Sequence, residues 1–261
     1  MCWIRCVLLL GLLGGGEAAL FATATDAETL LREARAAEAS LDSQHALDRY
    51  LAADQLRPNN ASILQKIARQ YSDRIVDLKT DAEKKASAES ALAYSQRAVA
   101  LDPRNAVNVL SLAVSHGKLS LFADTRTKVQ YSRLIREEAE RALALDPHYA
   151  WSHHVLGRWN HEVSELGLAA RVWVRAFYGG LPSASPAEAV RYLSRAVELE
   201  PEELAHHLEL GFAFLAAGET ARARAAFEHG LALPSRAKHD EPAKARARAA
   251  LAAMIRNQSA S

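Results

Sequence analysis

The chain has 261 residues, with 32 Lys and Arg against 31 Asp and Glu, for a formal net charge of +1. That balance lacks the basic excess needed to neutralise a phosphate backbone, so nucleic acid is not an expected partner. Hydrophobic residues make up 49% and Gly and Pro are sparse, which excludes a disordered chain and favours helices over sheets.

The N-terminus reads as an export signal. Arg5 precedes the apolar run Val7 to Leu13, and small residues follow as far as Ala22 and Ala24. This order predicts a signal peptide over 1–24, cleaved before Thr25, and a periplasmic or secreted chain. The apolar run is too short to span a bilayer unless it continues through Glu17, which is the alternative of an uncleaved membrane anchor. Both cysteines, Cys2 and Cys6, fall in this segment. The mature chain would then hold no disulfide, thiol nucleophile or zinc–thiolate site.

From residue 25 to 235 the sequence repeats. Pro58, Pro103, Pro147 and Pro201 serve as anchors. Five residues before them stand Ala53, Ala98, Ala142 and Ala196, and two before them Leu56, Leu101, Leu145 and Leu199. Nine residues after them come Ile67, Leu112, Leu156 and Leu210, followed by Ala68, Ala113, Gly157 and Gly211. The proline ends one helix and lets another begin after a short turn. The small residues allow close helix approach, while Ala and Leu are expected to fill the seam.

These residues resemble the tetratricopeptide repeat, a pair of antiparallel helices A and B. The last unit fits best, with His207, Leu210, Gly211 and Phe214 on helix A, Gly218 at the turn, and Ala223 and Phe227 on helix B. Including a first unit that carries Ala46, Tyr50 and Ala53, the pattern predicts about five helix pairs. The fold class expected is an all-α, right-handed tetratricopeptide-like solenoid. The segment 236–261 reads as a polar capping helix and tail, which an open solenoid needs. Its basic residues are expected to form a solvated face. The intervals between the anchor prolines are 45, 44 and 54 residues, against about 34 in a standard repeat. The surplus falls between helices A and B, predicting longer helices and lengthened turns.

One stretch is more specific. His153, Leu156, Gly157, Arg158 and Trp159 lead to Glu162 and Val163, then Ala176, Phe177, Gly179, Pro182 and Pro201. This combination resembles the regulator of microtubule dynamics protein family. The resemblance implies a helical repeat domain. It also implies the family's roles: microtubule association in animal members, and membrane tethering with phospholipid binding in a mitochondrial one.

Repeat register places Trp151, His154, Arg158, His161 and Glu162 on the groove side of one helix A. In the last unit the same register places Leu208 and Phe212 in an apolar wall. Such a polar band between apolar walls suits a ligand with a charged group and apolar parts. Arg158 is the expected anion contact, because its planar fork grips carboxylates and phosphates bidentately. Arg158 and Glu162 also stand four apart, where a helix-surface ion pair is the competing reading. Trp159, Trp173, Phe177 and Tyr178 are expected to pack and seal the lengthened pair.

Catalysis has little support. His161-Glu162 is not followed by the second histidine of a zinc-protease motif, and no nucleophile elbow, phosphate loop or dinucleotide fingerprint occurs. The reading is therefore a non-enzymatic scaffold without cofactor or metal. It holds a protein or peptide partner in its groove. The alternatives are a lipid or amphiphile bound there through Arg158, or tethering to a membrane or microtubule as the resemblance implies.

Overall fold

A computed structural model describes residues 15–259, with side chains from 26 to 256. Most of the predicted export segment, including its cysteines and apolar run, lies outside the described residues. The described residues form helices and no strand. In order these are α1 Gly15–Ala39, α2 Ser43–Leu56, α3 Ala61–Asp73, α4 Asp81–Leu101, α5 Ala106–Ser120, α6 Thr125–Leu145, α7 Ala150–Ser164, α8 Leu168–Tyr178, α9 Pro186–Leu199, α10 Leu204–Ala216, α11 Thr220–Ala232 and α12 Asp240–Ser259.

The helices pair as α1 with α2, α3 with α4, α5 with α6, α7 with α9, and α10 with α11. α8 lies in the A–B connection of the fourth pair, and α12 packs on α10 and α11. This is an all-α tetratricopeptide-like solenoid. Its A helices touch in succession, α3 with α5, α5 with α7 and α7 with α10, so they line the inner, concave side.

Each anchor proline sits in a four-residue link between one pair and the next: 57–60, 102–105, 146–149 and 200–203. Two of these links end in an asparagine that caps the following helix. The Asn60 carboxamide oxygen accepts from the N–H groups of Ser62 and Ile63, and Asn105 does the same for Val107 and Asn108. The caps satisfy donors that the first helical turn leaves unpaired.

Packing follows the small-residue columns. Ala53, Ala98, Ala142 and Ala196 are completely buried. A β-carbon on Gly157 would lie 2.5 Å from Leu193 Cγ and 3.1 Å from the Leu193 backbone nitrogen, and one on Gly211 would lie 2.5 Å from the Phe227 ring. Helices A and B thus approach more closely than any larger residue permits. The leucines two before each proline behave differently from expectation. Leu56, Leu101 and Leu145 are exposed and Leu199 is partly buried, so this column does not fill the seam as the alanines do.

The surplus residues are also distributed unevenly. Between α5 and α6 only Leu121 to Asp124 form the turn, and the extra length enters α6, which like α4 has 21 residues. Between α3 and α4 a 3₁₀ turn, Arg74–Asp77, fills most of the gap. Only the fourth pair carries a true insertion, α8 with its flanking loops. Arg133 on α6 holds this insertion by donating from Nε to the Gly180 carbonyl at 3.1 Å and from its Nη2 to the Tyr178 carbonyl.

Gly157→Ala is expected to destabilise the chain by about 1–3 kcal/mol, since backbone atoms of α9 must yield to the added methyl. Gly167→Ala, with nothing within 4 Å of its added carbon, is expected to stay within about 0.5 kcal/mol of the parent. Urea unfolding of the two variants measures the difference.

Candidate functional site

The predicted band on α7 forms, but much of it is covered. Trp151 packs on His154, with ring centroids 4.8 Å apart, and on His206 of α10 at 4.9 Å. His154 Nδ1 and His206 Nδ1 are 2.9 Å apart, and both rings are buried. His161 is buried too, 6.5 Å from the Phe212 ring. Arg158 and Glu162 remain half exposed and pair with each other, Nε to Oε1 2.8 Å. The helix-surface ion pair therefore forms, while the Arg158 side chain stays half exposed. Desolvation opposes the Arg158 charge, and Glu209 of α10 together with Glu162 outweighs it, leaving Arg158 more firmly protonated than usual.

Leu208 is a correction. It is fully buried, and its side chain lies against Gly230 of α11 rather than in a groove wall. Phe212 stays on the inner side, partly buried, with the Arg246 guanidinium of α12 4.6 Å above its ring. Arg246 in turn pairs with Glu209 at 3.0 Å.

The two buried imidazoles are both held neutral. Burial, with the Arg158 charge adding to it, pushes His154 down to about 3. Burial, then His154 and His207, pushes His206 down to about 2. A neutral pair needs one donor and one acceptor at the 2.9 Å contact. If His154 donates from Nδ1, the proton of His206 sits on Nε2, which faces Glu200 Oε2 at 3.4 Å.

The feature that sequence reasoning missed is a segment of the chain itself. Residues 233–239, between α11 and α12, cross the inner side from the last unit back to the second. Lys238 Nζ lies 2.8 Å from Asp77 Oδ2, and His239 Nε2 lies 3.6 Å from Asp73 at the end of α3. Lys118 Nζ of α5 reaches His239 Nε2 at 3.2 Å. At the base of the segment, Asp240 accepts from the N–H groups of Arg236 and Ala237, and Lys244 donates to the Leu233 carbonyl. The tail was expected to be solvated. Instead Lys238 and Lys244 are partly or wholly withdrawn from solvent by these contacts. The contacts join positions 161 residues apart, and no periodic sequence signal marks such a pairing.

The aromatic insertion also departs from expectation. Trp159 is buried as expected, donating from Nε1 to the Ser132 carbonyl at 2.7 Å. Trp173 and Phe177 on α8 are exposed instead, because α8 has only α6 beside it and turns just Val174 and part of Tyr178 inward.

With this geometry in view, comparison with known proteins identifies the chain's relatives. A model of the family described as Regulator of microtubule dynamics protein 1-3 matches residues 30–255. The chain belongs to that family. Regulator of microtubule dynamics protein 3 from Xenopus laevis is 31% identical over 143 residues, 55% of this chain and 31% of that protein. Regulator of microtubule dynamics protein 2 from Homo sapiens is 31% identical over 137 residues, 52% of this chain and 33% of that protein. The chain thus spans about a third of these relatives' length. Among solved structures, the thermophilic tetratricopeptide protein TTC0263 of Thermus thermophilus matches with a TM-score of 0.62 at 20% identity, covering 86% of this chain and 98% of that one. That likeness supports the fold. Leu156, Gly157, Trp159 and Val163, which carried the family resemblance in the sequence, are all buried. The α7 part of the family's signature is thus mainly packing, whereas Arg158, Glu162, Ala176, Phe177, Gly179, Pro182 and Pro201 of the same signature are exposed.

The depressed histidines set a pH dependence with a definite sign. Unfolded His154 and His206 take up protons below about 6.5, whereas the folded pair resists protonation until about 3 and about 2. The unfolded state thus binds more protons in this window, so stability is full above pH 6.5 and falls as pH drops. The slope is at most about 1.4 kcal/mol per pH unit for each histidine. Denaturant midpoints measured from pH 7.5 to 5 are expected to fall more steeply in the parent than in His206→Gln.

Proposed function

We propose that the chain is a non-catalytic binding scaffold whose inner face holds an unstructured stretch of a protein partner. One observation carries this reading. The chain already accommodates a non-helical, cationic segment, residues 233–239, at the ends of the inner helices α3 and α5, by ion pairing at Asp73 and at Asp77 of the adjoining 3₁₀ turn and by contact with Lys118. Arg158 and Glu162 extend that polar strip toward the fourth unit, and Trp151 and Phe212 offer partly exposed aromatic surface beside it. Peptide recognition by helical grooves combines such anchors with a few placed charges. An apolar groove for a lipid has less support, since Leu208 of the expected wall is part of the core and Trp151 is closed against two histidines.

In the same reading the chain acts after export, its leader removed before Thr25. N-terminal sequencing of the protein recovered from its native host is expected to start at Thr25; a start at Met1 would replace this reading with the anchored alternative.

A photocrosslinker placed at Phe212 and activated in the native compartment is expected to capture a protein. Arg158→Ala is expected to lower that capture by about tenfold, the scale of one charge-assisted contact. Unchanged capture would remove Arg158 from the contact, and no captured protein would remove the scaffold reading.

A further inference from the structure

In a helical solenoid each unit packs on its neighbours, so distant units move apart or together as the stack flexes. The helices of this chain obey that rule: among the described residues no helix of the second unit shares a packed interface with α10, α11 or α12. Residues 233–239 break it. Their tip reaches the end of α3 and the 3₁₀ turn, joining the fifth unit to the second through polar side-chain contacts. This link is also longer than those between units, seven residues against four. Lys238 and His239, at its far end, make the contacts.

The two ends of the segment are held differently. At its base, the buried Asp240 carboxylate accepts from the N–H groups of Arg236 and Ala237, each at 2.7 Å, and the buried Lys244 donates to the Leu233 carbonyl. The Ser235 hydroxyl donates to Glu241 at 2.6 Å. The segment is therefore shaped by its own end of the chain and presents its tip preformed. At that tip the contacts are open to water. Lys238 Nζ lies 3.0 and 2.8 Å from the two Asp77 carboxylate oxygens, and the Asp77 side chain is half exposed. His239 Nε2 meets two groups of opposite sign, Lys118 Nζ at 3.2 Å and Asp73 Oδ1 at 3.6 Å. It cannot serve both: a lone pair on Nε2 accepts from Lys118, whereas a proton there donates to Asp73 and faces Lys118 unfavourably. Asp73 has another partner in Arg69 at 3.4 Å. Pairs exposed to water contribute little each and weaken with salt. The docked tip still closes its site, leaving a gap of about 30 Å³ beside Glu38 and Gln70 of the first two units.

We propose that residues 236–239 form an electrostatic latch: docked, Lys238 and His239 hold the solenoid closed across its inner side, and a partner stretch is admitted only when they release Asp77, Asp73 and Lys118. What the latch admits rests on the scaffold reading above; that it opens does not. Lifting the tip also relieves Lys118. Burial pulls its ammonium below the ordinary lysine range, with Asp73 opposing that shift and Arg158 adding to it. The stretch that replaces the tip presents a cation to Asp77 and a hydrogen-bond acceptor to Lys118, as Lys238 and His239 do in the closed chain.

Fluorophores on Ala82→Cys and Ala225→Cys, both exposed positions, in the full chain with Cys2→Ser and Cys6→Ser, report the separation of α4 and α11 by energy transfer. Lys238→Glu is expected to lower the transfer. Raising salt to about 1 M, where screening acts within about 3 Å, is expected to do the same to the parent. Asp77→Lys/Lys238→Glu restores the pair with its signs exchanged and is expected to return the transfer to the parent's value. Capture by the photocrosslinker at Phe212 is expected to rise about threefold or more in Lys238→Glu, since a larger fraction of chains is then open, and to fall back in the double variant. Transfer unchanged by Lys238→Glu overturns the latch, and changed transfer with equal capture overturns its control of binding. No capture from any variant removes the scaffold reading instead, and energy transfer alone then decides the latch.

Discussion

The close contact between helix A and helix B within a unit is the constraint on which the rest of the molecule depends. It exists because glycine or alanine stands at the crossing: at Gly157 against Leu193, at Gly211 against Phe227, and at Gly230 against Leu208. The fully buried alanines 53, 98, 142 and 196 keep successive units equally close. Dispersion and apolar burial reward that proximity only while no side chain wedges the backbones apart. The same contact turns Leu208 into core and sets His154 against His206. Through the A helices it also fixes how far Asp73, Lys118 and Arg158 lie from one another.

Two surfaces of different character follow from this frame. The inner face is polar along a strip and is crossed by residues 233–239, whose ion pairs join the fifth unit to the second. The edge of the A–B connections carries the long insertion of the fourth unit, with Trp173 and Phe177 exposed on it. The family signature contributes to both: Leu156, Gly157, Trp159 and Val163 are buried in the wall between them, whereas Arg158 and Glu162 stand on the inner face and Phe177 on the edge.

Much of the fold was legible because repetition multiplies weak signals. Four prolines in register with four alanines and four small residues specify pairs of helices even where each residue alone is uninformative. The band on α7 was partly legible. Register placed Trp151, His154, Arg158, His161 and Glu162 on one side, and they do share it, but burial depends on the neighbouring helix. His206 and Glu209 meet that band because α10 packs directly against α7.

The sequence by itself determined helix content, pairing, the short links at each proline and the positions where helices must touch, since all of these depend on residues near one another in the chain. Only the tertiary structure decided which polar groups are buried, that the C-terminal segment lies across the inner face, and that Trp173 and Phe177 point to solvent. Those outcomes rest on contacts between distant units, such as Lys238 with Asp77, and on α8 having a neighbour on one side only. An aromatic side chain has the same affinity for a core wherever it stands in sequence. Whether a core is there to receive it depends on how the units stack.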